Sequence, residues 1–352
     1  MRLGKKLAAA AGIAVLVLLV YLTLWPVPIE PVSWTPGPPA PAKYQRNDGL
    51  APQTILAPSL PGPEAVTLDP QGRLVTGLLD GRVVRLAADG TPTTLATTGG
   101  RPLGLKYDGA GNLIVCDAYK GLLSIAPDGT VTTLATEQGG VPFLFTDDLD
   151  LAADGTIYFT DASSRFPLSA FKLDILEHRG TGRLLAYSPA TKKVELVLDG
   201  LTFANGVALA ADGSFVLVAE TASYRVRRVW LGGPRKGENE ILLDDLPGFP
   251  DNVTRDGDRF WIGLGTPRDP AVDFMAELPF LRKVVARLPA ALQPAPRRHS
   301  LAVAIDGDGK LLSFLEHEAA DAYAPIASVL AHDGKLYLGS FLRNGIGVVS
   351  EQ

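Results

Sequence analysis

The 352-residue sequence predicts an all-β fold, a six-bladed β-propeller with four strands per blade, behind a single N-terminal transmembrane helix. Three observations predict it. A unit of roughly 40 residues recurs along the chain, most units carry an Asp-Gly or Gly-centred turn between apolar alternations, and one uncharged apolar run opens the sequence.

The repeat is plainest in its first two copies. "PEAVTLDPQGRLVTGLLDGRVVRLAADGTPTTLAT" from Pro63 matches "PLGLKYDGAGNLIVCDAYKGLLSIAPDGTVTTLAT" from Pro102, strand for strand and turn for turn. Further copies open at "DDLDLAADGTIYFTD", "NGVALAADGSFVLVAE", "DNVTRDGDRFWIG" and "ASVLAHDGKLYLGS". A four-strand unit of this length is one blade, and six in a ring make a propeller. The last unit ends at "IGVVS" one strand short, and "PQTILAP", ahead of the first blade, is placed to supply that strand and close the ring. Two insertions interrupt the pattern, 163–182 in blade three and 266–299 in blade five. Phe171, Ile175 and Leu176 in the first, and Phe274, Leu278, Leu281, Val284 and Val285 in the second, have helical spacing and are expected to cap one face. Lys172, Arg282, Lys283 and Arg287 among them would also suit a lipid surface.

Ahead of the propeller (49–352) lie two segments. Residues 1–25 begin with the basic "MRLGKK", and Leu7 to Trp25 then carry no charge. Such a helix covers about 28 Å, close to a bilayer core, with Tyr21 and Trp25 at the end where aromatic rings favour the interface. The bulky, proline-rich "TLWPVPIEPV" that follows is poor for cleavage. The segment reads as an uncleaved signal anchor. The positive-inside rule puts its N-terminus in the cytoplasm and the propeller on the extracytoplasmic side, the periplasm in a Gram-negative cell. Residues 26–48, rich in proline, are expected to be an extended, stiff spacer.

The net charge of −5 with no basic stripe excludes a nucleic-acid partner. Cys116 is the only cysteine, so no intramolecular disulfide forms; in "NLIVCDA" it reads as a buried, inert thiol.

Aligning the six units on their first hairpin brings Glu64, Leu103, Asp147, Asn205, Asp251 and Ile326 to one position, at the start of the strand that lines a propeller's channel. Asp148 and Asn252 stand beside two of them. Carboxylates gathered in a partly desolvated channel repel unless a cation joins them. Ca²⁺ takes six to eight oxygens from such groups. No Cys or His stands at any of the six positions, which argues against zinc or copper. The "PDN" of "GFPDNV" (248–253) therefore reads as ligands rather than a turn.

Residues 60–350 resemble the strictosidine synthase-like and adipocyte plasma membrane-associated protein family, within the wider calcium-dependent group of paraoxonases and gluconolactonases. The stretches that carry the resemblance are "DDLDLAADGTIYFTDASSRF", "GRLLAYSPATKKVELVLDGLTFANGVALAADGSFVLVAETASYRVRRVW", "LPGFPDNV" and "HDGKLYLGSF". The resemblance implies a six-bladed propeller with one catalytic calcium. It puts the ligands at Glu64, Asp147 (or Asp148), Asn205 and Asp251, with Asn252 a further ligand. It also implies an N-terminal anchor. Two features depart from the relatives. Where the condensing enzyme has a glutamate this chain has Ala327, which speaks against carbon–nitrogen condensation. The paraoxonase His pair has no counterpart, since His178, His299, His317 and His332 all lie outside blades one and two.

The expected function is a membrane-anchored, Ca²⁺-dependent hydrolase of small-molecule esters or lactones, arylesterase- or lactonase-like. Asp251 would be its base by family analogy. No "GxSxG" elbow is present for a serine hydrolase. The alternative is a non-catalytic propeller, a binding or scaffold protein that calcium merely stabilises.

Overall fold

A computed structural model describes residues 2–38, 43–51 and 53–351. Helix α1 (Arg2–Leu24) comes first. Its stretch Gly4–Leu24 is long and apolar enough to cross a membrane, and none of it is buried against the protein.

The body is six antiparallel four-stranded sheets. Their innermost strands are Val66–Leu68, Pro102–Tyr107, Thr146–Leu151, Ala204–Leu209, Gly248–Asp256 and Ser328–His332. Each touches the innermost strand of the next blade, and the last returns to the first. The ring closes as the sequence anticipates. Thr54–Pro61 pairs antiparallel with Asn344–Ser350, Thr54 opposite Val348, as the outer strand of blade six. The first strand of the propeller thus locks its last.

Burial follows position in the blade. The first two strands of blade four, Ala204–Leu209 and Phe215–Glu220, are buried at every residue, whereas outer strands such as Val131–Ala135 are not. Continuous apolar runs, rather than alternation, are what a strand covered on both faces requires. Cys116 sits in such a strand, wholly buried. The Asp-Gly turns take the form their chemistry dictates. Gly129 adopts φ 87°, open to glycine at little cost, and Asp128 Oδ1 accepts Thr130 N–H at 2.9 Å. Asp89, Asp154 and Asp212 accept from the residue two further on in the same way.

A second recurring acid escaped the sequence reading. Asp117, Asp161 and Glu220 end the second strands of blades two, three and four, buried. Each accepts a backbone N–H from the loop entering its blade: Arg101, Phe145 and Thr202. Arg183 also closes on Asp161 at 2.6 Å, and Arg225 and Arg227 on Glu220. These carboxylates are spent on fastening blades.

Both insertions fold over one face. Helix α2 (Phe171–Glu177) leaves blade three, and helices α3 (Pro270–Ala276) and α4 (Pro279–Arg287) leave blade five; α2 touches α4. Phe171 and Ile175 pack on Phe145 and Phe203, and Leu176 and Val285 join Ile29. Phe274, by contrast, faces outward. Arg282 and Arg287, read from sequence as candidates for a lipid surface, are buried. Arg282 donates to the carbonyls of Leu176, Ala276 and Val32, and Arg287 to those of Trp25 and Leu22.

The proline-rich segment is extended, as its composition dictates, but residues 26–38 lie docked along the lid helices, and residues 43–48 run against the outer strand of blade five. Residues 39–42 of the expected linker fall outside the described residues.

Candidate metal centre

Side chains of a strand point to the two faces of its sheet. In a propeller those faces meet the neighbouring blades, while the inner strand's edge borders the channel. Aiming a side chain down the channel therefore needs a break in the strand, and the chain repeats one. Thr146 pairs with Asp161 and Leu149 with Phe159, so three steps on the inner strand oppose two on its partner. The same count holds for Pro102 to Leu105, Ala204 to Val207 and Pro250 to Val253. Each is a β-bulge, a device that bends the strand and re-aims a side chain. The bulged pairs are Leu103-Gly104, Asp147-Asp148, Asn205-Gly206 and Asp251-Asn252. Asp147, Asn205 and Asp251, from distant parts of the chain, are delivered to one place by one repeated distortion, and Glu64 joins them from just ahead of the blade-one inner strand, which pairs without a bulge.

The second residue of each pair nests against the adjacent blade. A Cβ on Gly206 would lie 2.2 Å from Val253 N, so only glycine fits there. The backbone of the aligned positions is fixed from behind as well. Thr160 Oγ1 donates to Asn205 O (2.7 Å), Thr221 Oγ1 to Pro250 O (2.6 Å) and Ser328 Oγ to Glu64 O (2.7 Å). Backbone held by a neighbour leaves the side chain preset.

Glu64, Asp147, Asn205 and Asp251 form the floor of a cavity of about 470 Å³. Its walls are largely apolar, with Leu103, Phe145, Phe203 and Phe249 below and Phe171, Ile175 and Met275 of the lids above. All four floor residues are buried, and each has a side-chain oxygen with no hydrogen-bond partner: Glu64 Oε2, Asp147 Oδ1, Asn205 Oδ1 and Asp251 Oδ1. Asn252 is also buried with both side-chain polar atoms unpaired, though it does not line the cavity. Asp148 differs. Its Oδ2 accepts Val207 N–H at 3.0 Å and its Oδ1 accepts Leu149 N–H at 2.9 Å. It staples blade three to blade four and turns away from the cavity; burial, opposed by those two bonds, pushes its carboxyl up to about 7.

Electrostatics set the floor apart. Burial first, and then Glu64 and Asp251, raise the Asp147 carboxyl well above the usual carboxylate range. Burial first, and then Glu64, do the same to Asp251, against a hydrogen bond from Asn205. Glu64 is raised by burial and pulled back by Arg101. Arg101, with its Nη2 3.5 Å from Glu64 Oε2, is one positive charge against three carboxylates, which cannot all stay ionised here without more. Among the described residues no three His, Cys, Asp or Glu side chains close into a finished cluster. The floor instead presents separate, unpaired oxygens from three carboxylates and a carboxamide. That donor set, hard and anionic, fits a cation such as Ca²⁺ and offers zinc nothing soft.

Three cavity residues were not singled out from sequence. Arg101, buried, sits two residues before Leu103 with its Nη2 3.5 Å from Glu64 Oε2 and both Nη atoms unpaired. Trp34 of the docked segment stacks on the imidazole of His178, centroids 4.2 Å apart and planes within 4°. His178 heads a directional chain. Side-chain bonds and charge from Arg225, with the charge of Arg227, overcome burial and hold Glu220 below its ordinary value, so it is ionised and only accepts. Thr202 Oγ1 must donate to it (3.1 Å), Ser223 Oγ to Thr202 (2.5 Å), and His178 Nε2–H to Ser223 (3.2 Å). Burial, then Arg282 and Arg225, push His178 down to about 3. The ring is neutral and carries its proton on Nε2.

A closed ring of six four-stranded blades with an acid–amide floor under helical lids defines the class: a six-bladed β-propeller. The chain belongs to the strictosidine synthase-like family. The strictosidine synthase family model matches residues 147–234, and the strictosidine synthase-like N-terminal model matches 42–86. Strictosidine synthase-like protein 3 of Arabidopsis thaliana is 37% identical over 82% of both chains. Adipocyte plasma membrane-associated protein of Bos taurus is 34% identical over 95% of this chain and 87% of its own. Among solved structures, a gluconolactonase from Xanthomonas campestris superposes with a TM-score of 0.63 at 18% identity, covering 94% of this chain and all of its own. A calcium-binding regucalcin from Agrobacterium tumefaciens gives 0.56 at 16% identity, covering 84% and 90%. At such identities these two speak to the fold.

Proposed function

We propose that the chain is a membrane-anchored, Ca²⁺-dependent hydrolase of esters or lactones, with the metal held by Glu64, Asp147, Asn205 and Asp251 and supported by Asn252. The observation that carries this reading is the set of unpaired buried oxygens at the floor of an apolar cavity. Buried polar atoms without partners are rare in native proteins, and here they converge at one phase of the repeat. The calcium-binding regucalcin and the gluconolactonase of like fold support it by analogy.

The chemistry a bound Ca²⁺ supplies at such a floor is polarisation of a substrate carbonyl. The chain's own residues do the rest. Asp251 accepts a proton from the water that attacks the carbonyl carbon. The carbon–oxygen bond to the alcohol then breaks, and the proton passes to the departing oxygen; a lactone opens to its hydroxy acid. The lids and the aromatic walls exclude bulk water and hold the apolar part of the substrate. Ala327, buried where the condensing enzyme has its glutamate, brings no carboxylate. A panel of aryl esters and lactones assayed with and without a calcium chelator tests the reading. Turnover that chelation abolishes is expected; no turnover of any member would favour a non-catalytic, calcium-stabilised propeller.

We also propose that α1 is an uncleaved anchor with its N-terminus in the cytoplasm and the propeller on the extracytoplasmic, periplasmic side. The basic start and the membrane-associated relatives support this. The full-length protein should fractionate with membranes and keep its N-terminus, and a chain starting near Pro26, which keeps the docked segment and lacks only the helix, should be soluble. Recovery of mature protein beginning between residues 26 and 40 would contradict the anchor.

A further inference from the structure

The docked segment between anchor and propeller is gripped by its main chain. Glu177, buried in the blade-three lid, accepts Glu30 N–H on its carboxylate at 2.6 Å and Val32 N–H on its carbonyl at 2.9 Å. Ala276 O accepts Trp34 N–H at 3.2 Å. Arg282 donates to Val32 O, and Arg268, also buried, donates to Gly37 O and Pro38 O at 2.8 Å each. Ile29 of the strap is wholly buried against Phe166 and Leu176. These contacts hold the strap as a third lid, and they bring one aromatic side chain, Trp34, to the cavity wall. There it stacks on His178, which is itself fixed by the chain to Glu220.

We propose that Trp34 and His178 form the substrate-selecting wall of the cavity, and that the group they select is an aromatic ring on the acyl or alcohol part of the substrate. This rests on the cavity being the substrate site of the reading above. Buried charges hold both partners in place, so the wall loses little conformational freedom when a ligand arrives. Aromatic rings pack on such surfaces in offset or edge-to-face geometry, and Phe145, Phe203 and Phe249 continue the aromatic lining. A flexible alkyl chain must give up rotamer freedom to lie along the same surface. His178 is kept neutral, so it adds a flat face without placing a cation in an apolar wall.

The test uses the full-length protein in phospholipid nanodiscs and two ketones that cannot be hydrolysed, methyl naphthyl ketone and methyl hexyl ketone, with affinities read by ligand-observed NMR. Trp34→Ala should weaken the naphthyl ketone about tenfold and the hexyl ketone by less than about threefold, and Trp34→Phe should keep naphthyl binding within about threefold of wild type. Equal losses for both ketones in Trp34→Ala would mean that the strap is only structural and would overturn the proposal. Unchanged affinities, or a wild type that takes up neither ketone, would overturn it too. Trp34-dependent binding of the naphthyl ketone by a protein that cleaves no ester would uphold the wall while removing the hydrolase reading.

Discussion

Asp251→Asn is expected to lower hydrolysis at saturating calcium by at least about a hundredfold, the lower end of what loss of a general base costs. The substitution keeps an oxygen on the floor but removes the charge and the proton acceptor. Asp251 sits at a bulge whose Pro250 carbonyl is held by Thr221, so the amide occupies the place the carboxylate had. Calcium affinity should fall less than in Asp251→Ala, where the ligand oxygen is gone. Asn252→Ala should weaken affinity more than turnover at saturating calcium, because Asn252 lies behind the floor and off the cavity wall. Substantial and equal turnover by wild type and Asp251→Asn would remove Asp251 as base while leaving the metal site standing. One negligible rate shared by wild type and all variants would point to a scaffold.

Much of this architecture was legible because it is repeated. A single Asp-Gly turn means little, but a glycine-bearing turn in the first hairpin of all six units sets the number of blades, and the missing strand of the last unit pointed to "PQTILAP" as the closure. The same multiplication made the floor visible. Glu64, Asp147, Asn205 and Asp251 are each ordinary turn or cap residues until the repeat phase aligns them. What the sequence left open depends on backbone direction. Asp147 and Asp148 are chemically identical neighbours, and only the bulge separates one facing the cavity from one bonded to Val207 N–H. A usable signal was present: glycine follows the aligned position in blades two and four, where the bulge nests against the next blade. Non-repeating segments were harder. Arg282 and Arg287 looked like surface cations because their partners are main-chain carbonyls of Val32, Trp25 and Leu22, more than two hundred residues away. For the same reason the strap read as a free spacer, with no sign that Trp34 would meet His178.

Calcium should stabilise the folded propeller strongly, because a ligand that binds only the native state adds free energy with its concentration over its dissociation constant. At a hundredfold excess this is about 2.7 kcal/mol, a rise in melting temperature of roughly 5 °C. The sign of the pH dependence follows from the floor. In calcium-free protein the folded-state values of Glu64, Asp147 and Asp251 lie above those of the unfolded chain. Their contribution is therefore present below the ordinary carboxylate range and lost as pH rises through the folded values. His178, lowered to about 3, acts in the opposite sense: its contribution is present above its ordinary value and lost as pH falls toward 3. Calcium replaces the protons on the carboxylates, so its stabilising effect should grow with pH.

The melting temperature of the full-length protein, with calcium and after exhaustive chelation, tests the metal floor most directly. Wild type should melt higher with calcium, by a larger margin at about pH 8 than at about pH 5.5, and Zn²⁺ should not restore the chelated protein. Asp147→Ala should lose the calcium-dependent shift, while Asp148→Asn, altered only in its bonds to Val207 and Leu149, should keep it at a lower overall melting temperature. A wild-type melt unchanged by chelation, with no metal found by elemental analysis, would contradict the account.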